Sequence, residues 1–154
     1  MQIVKVTGFK KHYAFTYLMK IEHACFNGDY ITKKDFKTNY ERTFFLLDID
    51  QNIIGYYMWY PENGYAYLYS LAIDKYYQGN GYSKLMLDHF LANSGHNIHC
   101  LHVKDINDKA RQLYKNYGFI ESTVVNNFYE DGAPAITMYK KINETQNSPL
   151  VWKH

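Results

Sequence analysis

Hydrophobic and polar residues alternate along this chain in two rhythms, one typical of strands and one typical of helices. The run from Tyr65 to Ile73 is rich in aromatic residues and free of charge, as expected of a buried strand. The segment that follows repeats apolar residues at the spacing of one helix face, namely at Tyr82, Leu85, Met86, His89 and Phe90. The chain is therefore expected to pass from a strand to a helix within residues 74–81.

The same two patterns predict the remaining elements. Strands are expected over 2–6, 43–49, 53–60, 98–103, 119–128 and 135–141. Helices are expected where apolar residues recur at helical spacing, at Ala14, Tyr17, Leu18, Ile21 and Cys25, at Phe36 and Tyr40, and at Ala110, Leu113, Tyr114 and Tyr117. The resulting order, β, α, α, β, β, β, α, β, α, β, β, predicts an α+β fold with a central mixed, mostly antiparallel sheet of about seven strands and about four helices.

Several predicted helix ends carry residues that stabilise helix termini. Thr32 is a good N-cap, and Asp35 three residues later gives a weak match to a capping box. Asn107 is the N-cap expected for the last helix, and Gly118 is its expected stop. A turn at Pro61-Glu62-Asn63-Gly64 is expected to lead into the long central strand.

The composition fits one soluble domain. The chain has 154 residues, of which 47% are hydrophobic, and this is enough for a real core. No apolar run reaches transmembrane length and the N-terminus lacks a signal-peptide core, so we expect a cytoplasmic protein with no membrane partner. The net charge of +2 argues against nucleic acid as a partner. We expect the domain to span residues 1–142 and a polar tail, 143–154, to leave it.

Two glycines, Gly79 and Gly81, separate the predicted strand from the predicted helix. They remove the side chains that would keep a ligand from the backbone. The helix start beyond them offers unpaired N–H groups and a positive dipole end, which suit a phosphate. A Walker loop is excluded because no Gly-Lys-Ser/Thr occurs, and Lys84 stands where a dinucleotide fingerprint needs its third glycine. A simple turn would also account for two glycines.

Two motifs resemble those of one enzyme superfamily. The loop Gln78-Gly-Asn-Gly-Tyr-Ser83 resembles the Gln/Arg-x-x-Gly-x-Gly/Ala loop of the GNAT superfamily of N-acetyltransferases, with Ser83 in place of the usual final Gly or Ala. The stretch from Asn107 to Phe119 resembles the signature Asn-x-x-Ala-x-x-Leu-Tyr-x-x-x-Gly-Phe of many members. The opening helices, within 21–36, and the closing hairpin, 127–138, are similar to those of the RimI branch, which acetylates the N-terminal alanine of a ribosomal protein.

The resemblance implies a GNAT-like fold with acetyl-CoA as co-substrate and no metal. The family's cofactor-binding positions fall on Leu71, Ala72, Ile73, Gln78, Gly79, Asn80, Gly81, Tyr82, Ser83, Lys84, Asn107 and Tyr114. In the family, the backbone at 71–73 lies beside a strand bulge and polarises the thioester carbonyl. The tyrosine at 114 protonates the departing thiolate of coenzyme A in the family. From the pattern alone, Tyr114 would be a core aromatic and Asn107 only a helix cap.

The residue that removes the proton from the acceptor is left open by the sequence. RimI-like enzymes carry a glutamate where this chain has His102, and a histidine, with a pKa of about 6.5, suits that task near neutral pH. The other base position of the family holds Tyr67 or Tyr69 rather than a carboxylate. The catalytic base is therefore His102, a water chain or Glu130, and His102 would otherwise be an ordinary strand residue.

These observations predict an N-acetyltransferase that moves acetyl from acetyl-CoA to a primary amine by direct attack. Cys25 and Cys100 lack a His/Asn partner pattern, so no covalent enzyme intermediate is expected. The expected acceptor is a protein or peptide N-terminal α-amine, bound by Tyr30, Tyr67 and Tyr129. The alternatives are a small amine, such as a polyamine or an antibiotic-like molecule, and a non-catalytic acyl-CoA sensor. We expect a monomer or a homodimer.

Overall fold

Seven strands and four α-helices follow one another within residues 1–142, in the order that the sequence pattern predicts. The computed structural model describes residues 1–142, and the predicted tail, 143–154, lies outside the described residues. The strands are β1 (Gln2–Lys5), β2 (Thr43–Leu47), β3 (Ile53–Glu62), β4 (Tyr65–Ile73), β5 (Ile98–Lys104), β6 (Ile120–Val125) and β7 (Ala135–Lys141). The helices are α1 (Lys11–Cys25), α2 (Lys33–Thr38), α3 (Tyr82–Asn93) and α4 (Asp108–Asn116).

The strands form one mixed sheet in the order β1-β2-β3-β4-β5-β7-β6. Strands β4 and β5 pair in parallel, and the other neighbours within the described sheet pair antiparallel. The parallel pair is connected through α3, because parallel strands need a long crossover. The predicted α+β fold with a mostly antiparallel sheet of seven strands is therefore confirmed.

The sheet splits between β4 and β5. Their pairing ends at Leu68 and Leu101, although both strands continue beyond these residues. On the other edge of β4, the register with β3 shifts so that Met58 pairs with Ser70 while Trp59 pairs with Leu68. This leaves Tyr69 as the extra residue of a bulge, and a bulge bends its strand. Residues 69–73 of β4 and 102–104 of β5 therefore flank a wedge in the sheet.

Helices cover both faces of the sheet and divide the core in two. On one face, α3 packs against the sheet through Met86, Leu87 and Phe90, with α4 beside it. On the other face, α1 and α2 pack through Ala14, Leu18, Ile21 and Phe36. Because successive strand side chains point to opposite faces, the neighbours Tyr56 and Tyr57 of β3 belong to different cores.

Two of the helix residues with the predicted apolar spacing are exposed. Tyr17 of α1 is 41% exposed and Leu85 of α3 is 39% exposed. Two residues outside the predicted spacing are buried instead, namely Glu22 in α1 and Leu87 in α3. Spacing alone cannot say where the buried stripe ends, since that depends on how much sheet lies beneath each helix.

Strand β3 is longer than the pattern predicts, and β6 is shorter. Strand β3 runs through Pro61 to Glu62, where the sequence predicts a turn. Strand β2 pairs with β3 only as far as Met58, so Pro61 lies where β3 has a free edge, a position that tolerates proline. Strand β6 ends at Val125 rather than at 128.

The predicted helix starts are confirmed. The Thr32 hydroxyl accepts the Asp35 backbone N–H at 3.0 Å, and the Asp35 carboxylate accepts the Thr32 N–H at 3.1 Å, which completes the capping box. The Asn107 side chain accepts the Ala110 N–H at 3.2 Å.

Among residues 1–142, none of the helices has both the length and the apolar character needed to cross a bilayer.

Candidate active site

A cleft of about 670 Å³ lies where β4, α3 and α4 meet. Every predicted cofactor-binding residue except Asn80 lines it, so the strand end 71–73, the glycine loop and α4 do come together as the family resemblance implies. The cleft is also lined by residues that the sequence did not single out, among them Cys25, Phe26, Tyr77, Lys109 and Leu113.

The glycine loop forms one end of the cleft. Gly79 and Gly81 have φ angles of 82° and 79°, a left-handed conformation that glycine adopts without penalty. A Cβ added to either glycine meets nothing within 4 Å, so backbone conformation rather than crowding favours glycine here. Gly81 is the N-cap of α3, and no side chain in the described part of the chain caps this helix. The first N–H groups of α3 are therefore available to a phosphate.

Two side-chain amides hold the loop in place. Gln78 Nε2 donates to the Ile73 carbonyl at 2.9 Å and approaches Cys25 Sγ at 3.8 Å. Asn80 Nδ2 donates to the Tyr77 carbonyl at 3.1 Å. The side chain of Asn80 thus folds back onto the loop, which explains why it does not line the cleft.

Helix α4 brings a polar and a phenolic side chain to the same cleft. Asn107 both caps the helix and lines the cleft. Tyr114 is partly buried and packs edge-on against Phe119, with ring centroids 5.7 Å apart. Burial, and to a lesser degree the nearby Tyr129, raises the pKa of Tyr114 to about 12. The phenol therefore stays protonated at neutral pH and offers a hydrogen-bond donor.

A tyrosine and a histidine bridge the split between β4 and β5. The Tyr67 hydroxyl lies 2.6 Å from His102 Nδ1. The Phe128 ring stacks on the imidazole, with centroids 4.5 Å apart and planes inclined by 23°. Burial lowers the pKa of His102, and the charge of Glu62 opposes this only in part. The imidazole is therefore largely neutral at pH 7 and able to accept a proton.

Two loops close the rim of the split beside this pair. The loop between α1 and α2 carries Asp29, whose carboxylate accepts the backbone N–H of Glu130 in the β6–β7 loop at 3.1 Å. The next residue back, Tyr129, has the Lys104 ammonium 5.0 Å from its ring centroid. Burial raises the pKa of Tyr129 to about 12. Segments 101 residues apart in the chain thus form one rim.

Not every predicted site residue faces the Tyr67–His102 pair. The Tyr30 ring lies 4.1 Å from the His23 ring, and its hydroxyl donates to the Phe26 carbonyl at 3.2 Å, so Tyr30 packs against the end of α1. The Glu130 carboxylate lies against Gly28, where an added Cβ would come within 2.9 Å of Oε2. By contrast, Tyr129 lies near Tyr67. Burial raises the pKa of Tyr67, and the nearby Tyr129 raises it further.

Two contributors to the site carry no periodic signal in the sequence. Phe128, which stacks on His102, lies in the β6–β7 loop. Asp35 completes the capping box of α2, but its carboxylate also accepts the Tyr69 hydroxyl at 3.2 Å. In the sequence, Phe128 falls at the end of the predicted strand 119–128 and within the closing hairpin that is similar to RimI-like endings, but neither signal pairs it with His102.

The sequence matches an acetyltransferase family over most of its length. The model of the acetyltransferase (GNAT) domain family matches residues 11–142. The chain is 29% identical over 138 residues to the uncharacterized N-acetyltransferase MJ1530 of Methanocaldococcus jannaschii, covering 86% of this chain and 88% of that protein.

Solved structures with similar folds include one from Escherichia coli and one from Arabidopsis thaliana. The ribosomal-protein-S18-alanine N-acetyltransferase from Escherichia coli superimposes with a TM-score of 0.75 at 25% identity, covering 92% of this chain and 94% of that one. Arabidopsis thaliana Naa50, in complex with the bisubstrate analogue CoA-Ac-MVNAL, gives a TM-score of 0.76 at 20% identity, covering 92% and 98%. With the glycine loop, the split sheet and the family match all in agreement, the chain belongs to the GNAT family of acetyl-CoA-dependent N-acetyltransferases.

Proposed function

We propose that this enzyme acetylates the α-amine at the N-terminus of a polypeptide. The observation that carries the proposal is the Tyr67–His102 pair at the split, a weak base where a carboxylate would be expected. An α-amine has a pKa of about 7.7–8.0, so about a tenth is neutral at pH 7, whereas a lysine side chain, with a pKa of about 10.4, is neutral in well under a thousandth. A weak base is better matched to the easier amine.

The co-substrate, acetyl-CoA, fits the residues of the cleft. Its phosphates require backbone donors and positive charge, which the uncapped start of α3 and the side chains of Lys84 and Lys109 offer. Its thioester requires polar backbone groups that are free of ladder partners, and the strand end 71–73 offers these on the side that faces β5, while its other side pairs with β3. Bound acetyl-CoA supplies an activated acetyl group, so the protein itself needs no nucleophile.

The proposed reaction is a direct transfer. The acceptor ammonium loses a proton to the Tyr67–His102 pair, either at the imidazole itself or through the phenol oxygen of Tyr67, and both routes leave the proton on His102. The neutral nitrogen then attacks the thioester carbonyl, forming the N–C bond while the C–S bond breaks. The second proton lost from the nitrogen passes through solvent to the departing thiolate, which leaves the amide and the free thiol of coenzyme A. A backbone N–H at 71–73 would stabilise the carbonyl oxygen as it gains charge.

Tyr114 would act on the leaving sulfur as a hydrogen-bond donor. Its pKa of about 12 lies above the value of about 8.5 typical of a thiol. Complete proton transfer from the phenol to the thiolate is therefore uphill, whereas a hydrogen bond from the neutral phenol stabilises the departing charge at once. We therefore propose that Tyr114 stabilises the charge of the departing thiolate, while the family resemblance implies that it protonates this sulfur.

The acceptor would enter between the two loops that meet at Asp29 and Glu130. That rim leads directly to Tyr129, Tyr67 and His102. The similarity to the E. coli enzyme for ribosomal protein S18 alanine and to Naa50, bound to an analogue carrying the peptide MVNAL, supports a polypeptide acceptor. Within the family, a RimI-like role on a ribosomal or other nascent protein is the reading we favour.

The acceptor class can be tested with matched substrates. The enzyme would be incubated with acetyl-CoA and, separately, with free-N-terminus peptides, with their N-blocked lysine-containing counterparts, and with small amines such as spermidine. We expect turnover only with free-N-terminus peptides. Turnover of blocked peptides or of small amines alone would overturn the α-amine assignment, and the chain would remain an acetyltransferase of another acceptor.

A further inference from the structure

A carboxylate is buried in the middle of the molecule, between the acceptor loop and the cofactor strand. Glu22 of α1 is only 2% exposed. Its Oε2 accepts the Ile31 backbone N–H at 3.0 Å. Its Oε1 accepts the Ser70 hydroxyl at 3.2 Å and also the Tyr56 hydroxyl. One side chain is thus bonded to three separate elements.

The elements that Glu22 joins are the ones that define the site. Ile31 ends the loop after α1, the same loop whose Asp29 holds the β6–β7 loop. Ser70 follows the bulge residue Tyr69 in β4 and precedes Leu71, which lines the cofactor cleft. The Glu22 carboxylate is therefore a direct link between the loop that would receive the acceptor and the strand that would hold the thioester.

This link has no explanation in packing alone. Burying a carboxylate is costly unless it is well hydrogen-bonded, and burial is the main reason that the pKa of Glu22 is raised. An apolar side chain of similar size often replaces a buried charge with little loss of stability. An apolar residue, however, could not form the hydrogen bonds that hold Ile31 and Ser70 in fixed positions.

We propose that Glu22 is a positioning residue for the acceptor site, which holds the α1–α2 loop at a fixed distance from the bulge of β4. The inference rests on the proposed function in that it places the acceptor beneath this loop. Glu22 does not act on the amine itself, because its carboxylate is sealed from the cleft and already accepts three hydrogen bonds. Its effect is to fix the distance between acceptor and thioester.

The test uses three variants of the full chain. Glu22→Ala removes the link, and Glu22→Gln keeps the volume and an oxygen that can accept from Ile31. Ser94→Ala is the control, because it removes another buried hydrogen bond, to His99 at 2.7 Å, at the end of α3. Each variant would be measured for acceptor KM, kcat, acetyl-CoA Kd by calorimetry, and exchange of the Ile31 amide by NMR without substrate.

If Glu22 positions the acceptor site, replacing it should weaken acceptor binding and leave acetyl-CoA binding nearly unchanged. Glu22→Ala should raise the acceptor KM by about tenfold or more, leave the acetyl-CoA Kd within about twofold, and speed exchange of the Ile31 amide. Glu22→Gln should keep the acceptor KM close to the wild-type value. The Ser94→Ala variant should lose stability without a change in acceptor KM.

Other results would overturn the proposal. It is wrong if Glu22→Ala leaves the acceptor KM unchanged, or if the acetyl-CoA Kd rises as much as the acceptor KM. If the alanine variant does not fold, Ser70→Ala decides instead, with a rise of about threefold expected in acceptor KM and no rise counting against the link. The amide-exchange readout needs no substrate, so a wrong acceptor class would leave this test intact.

Discussion

The Tyr67 hydroxyl and His102 Nδ1 meet at 2.6 Å where strands β4 and β5 stop pairing. Tyr67 pairs with Cys100 in the last stretch of the parallel ladder, and His102 lies just past its end at Leu101. The bond therefore spans the mouth of the split.

The first prediction concerns the pH dependence of the reaction. Burial lowers the pKa of His102 below its usual 6.5, so the imidazole is neutral at pH 7 and becomes protonated only in more acidic solution. Activity due to this base should be intact above pH 6.5 and fall as pH drops through the lowered pKa. His102→Gln should abolish that acidic limb and reduce kcat by about 10²-fold or more.

A second Tyr–His pair provides the control for this prediction. The Tyr57 hydroxyl lies 2.6 Å from His89 Nδ1, and burial lowers the pKa of His89 as well, but this pair joins β3 to α3 and not β4 to β5 across the split. His89→Gln should leave the acidic limb in place. A pH profile that His102→Gln does not change would assign the proton to water or to another group.

The second prediction concerns the leaving thiolate. Tyr114→Phe should lower kcat by about tenfold to a hundredfold, the range expected for losing a hydrogen bond to a charged group, while acetyl-CoA affinity stays near wild type. Because the pKa of Tyr114 is about 12, the rate of the wild-type enzyme should show no basic limb from this residue near pH 9. Stopped-flow kinetics and calorimetry would measure both quantities.

Tyr40→Phe is a suitable comparison, because it removes a partly buried hydroxyl bonded to the Phe9 carbonyl at 2.8 Å, away from the cleft. It should leave kcat unchanged. Equal turnover of the Tyr114→Phe and wild-type enzymes would mean that Tyr114 does not stabilise the departing thiolate.

The third prediction concerns the phosphate loop. Gly81→Val forces a β-branched residue into φ of 79°, and it places methyl groups over the N–H groups of α3. Acetyl-CoA affinity should fall by more than about tenfold, since both the loop backbone and the anion site are disturbed. The fold should survive, because a Cβ at this position meets nothing within 4 Å.

Gly95→Val is the control that separates the effect of backbone strain from the effect on acetyl-CoA binding. Gly95 has a φ of 72° and the same open surroundings, but it follows α3 at the end remote from the loop. Its replacement should cost comparable stability with no change in acetyl-CoA Kd. If both variants bind acetyl-CoA like wild type, the loop is not the phosphate site.

The features that sequence reasoning recovered are local. The capping box at Thr32 and Asp35 needs only four consecutive residues, and the loop from Gln78 to Ser83 needs six. The alternation of apolar residues likewise gave the order of strands and helices. Such features are set by backbone preferences within a few residues, so they can be read before the tertiary structure is known.

The features that it missed depend on distant partners. The bond from the Glu130 N–H to Asp29 joins loops 101 residues apart, and Phe128 reaches His102 only because β6 ends early and its loop turns over the sheet. Glu22 reads as one polar residue in an amphipathic helix, yet it is buried because Ile31, Tyr56 and Ser70 converge on it. No spacing rule encodes such convergence.

The most direct test of the proposed reaction uses one peptide that carries both competing amines. A peptide with a free N-terminus and an internal lysine would be incubated with the enzyme and acetyl-CoA, stopped at low conversion, and sequenced by tandem mass spectrometry. Because the α-amine is far more often neutral at pH 7 and His102 is the only proposed base, the acetyl group should be found on the N-terminal nitrogen. Acetyl on the lysine side chain beside a free N-terminus would contradict the proposal.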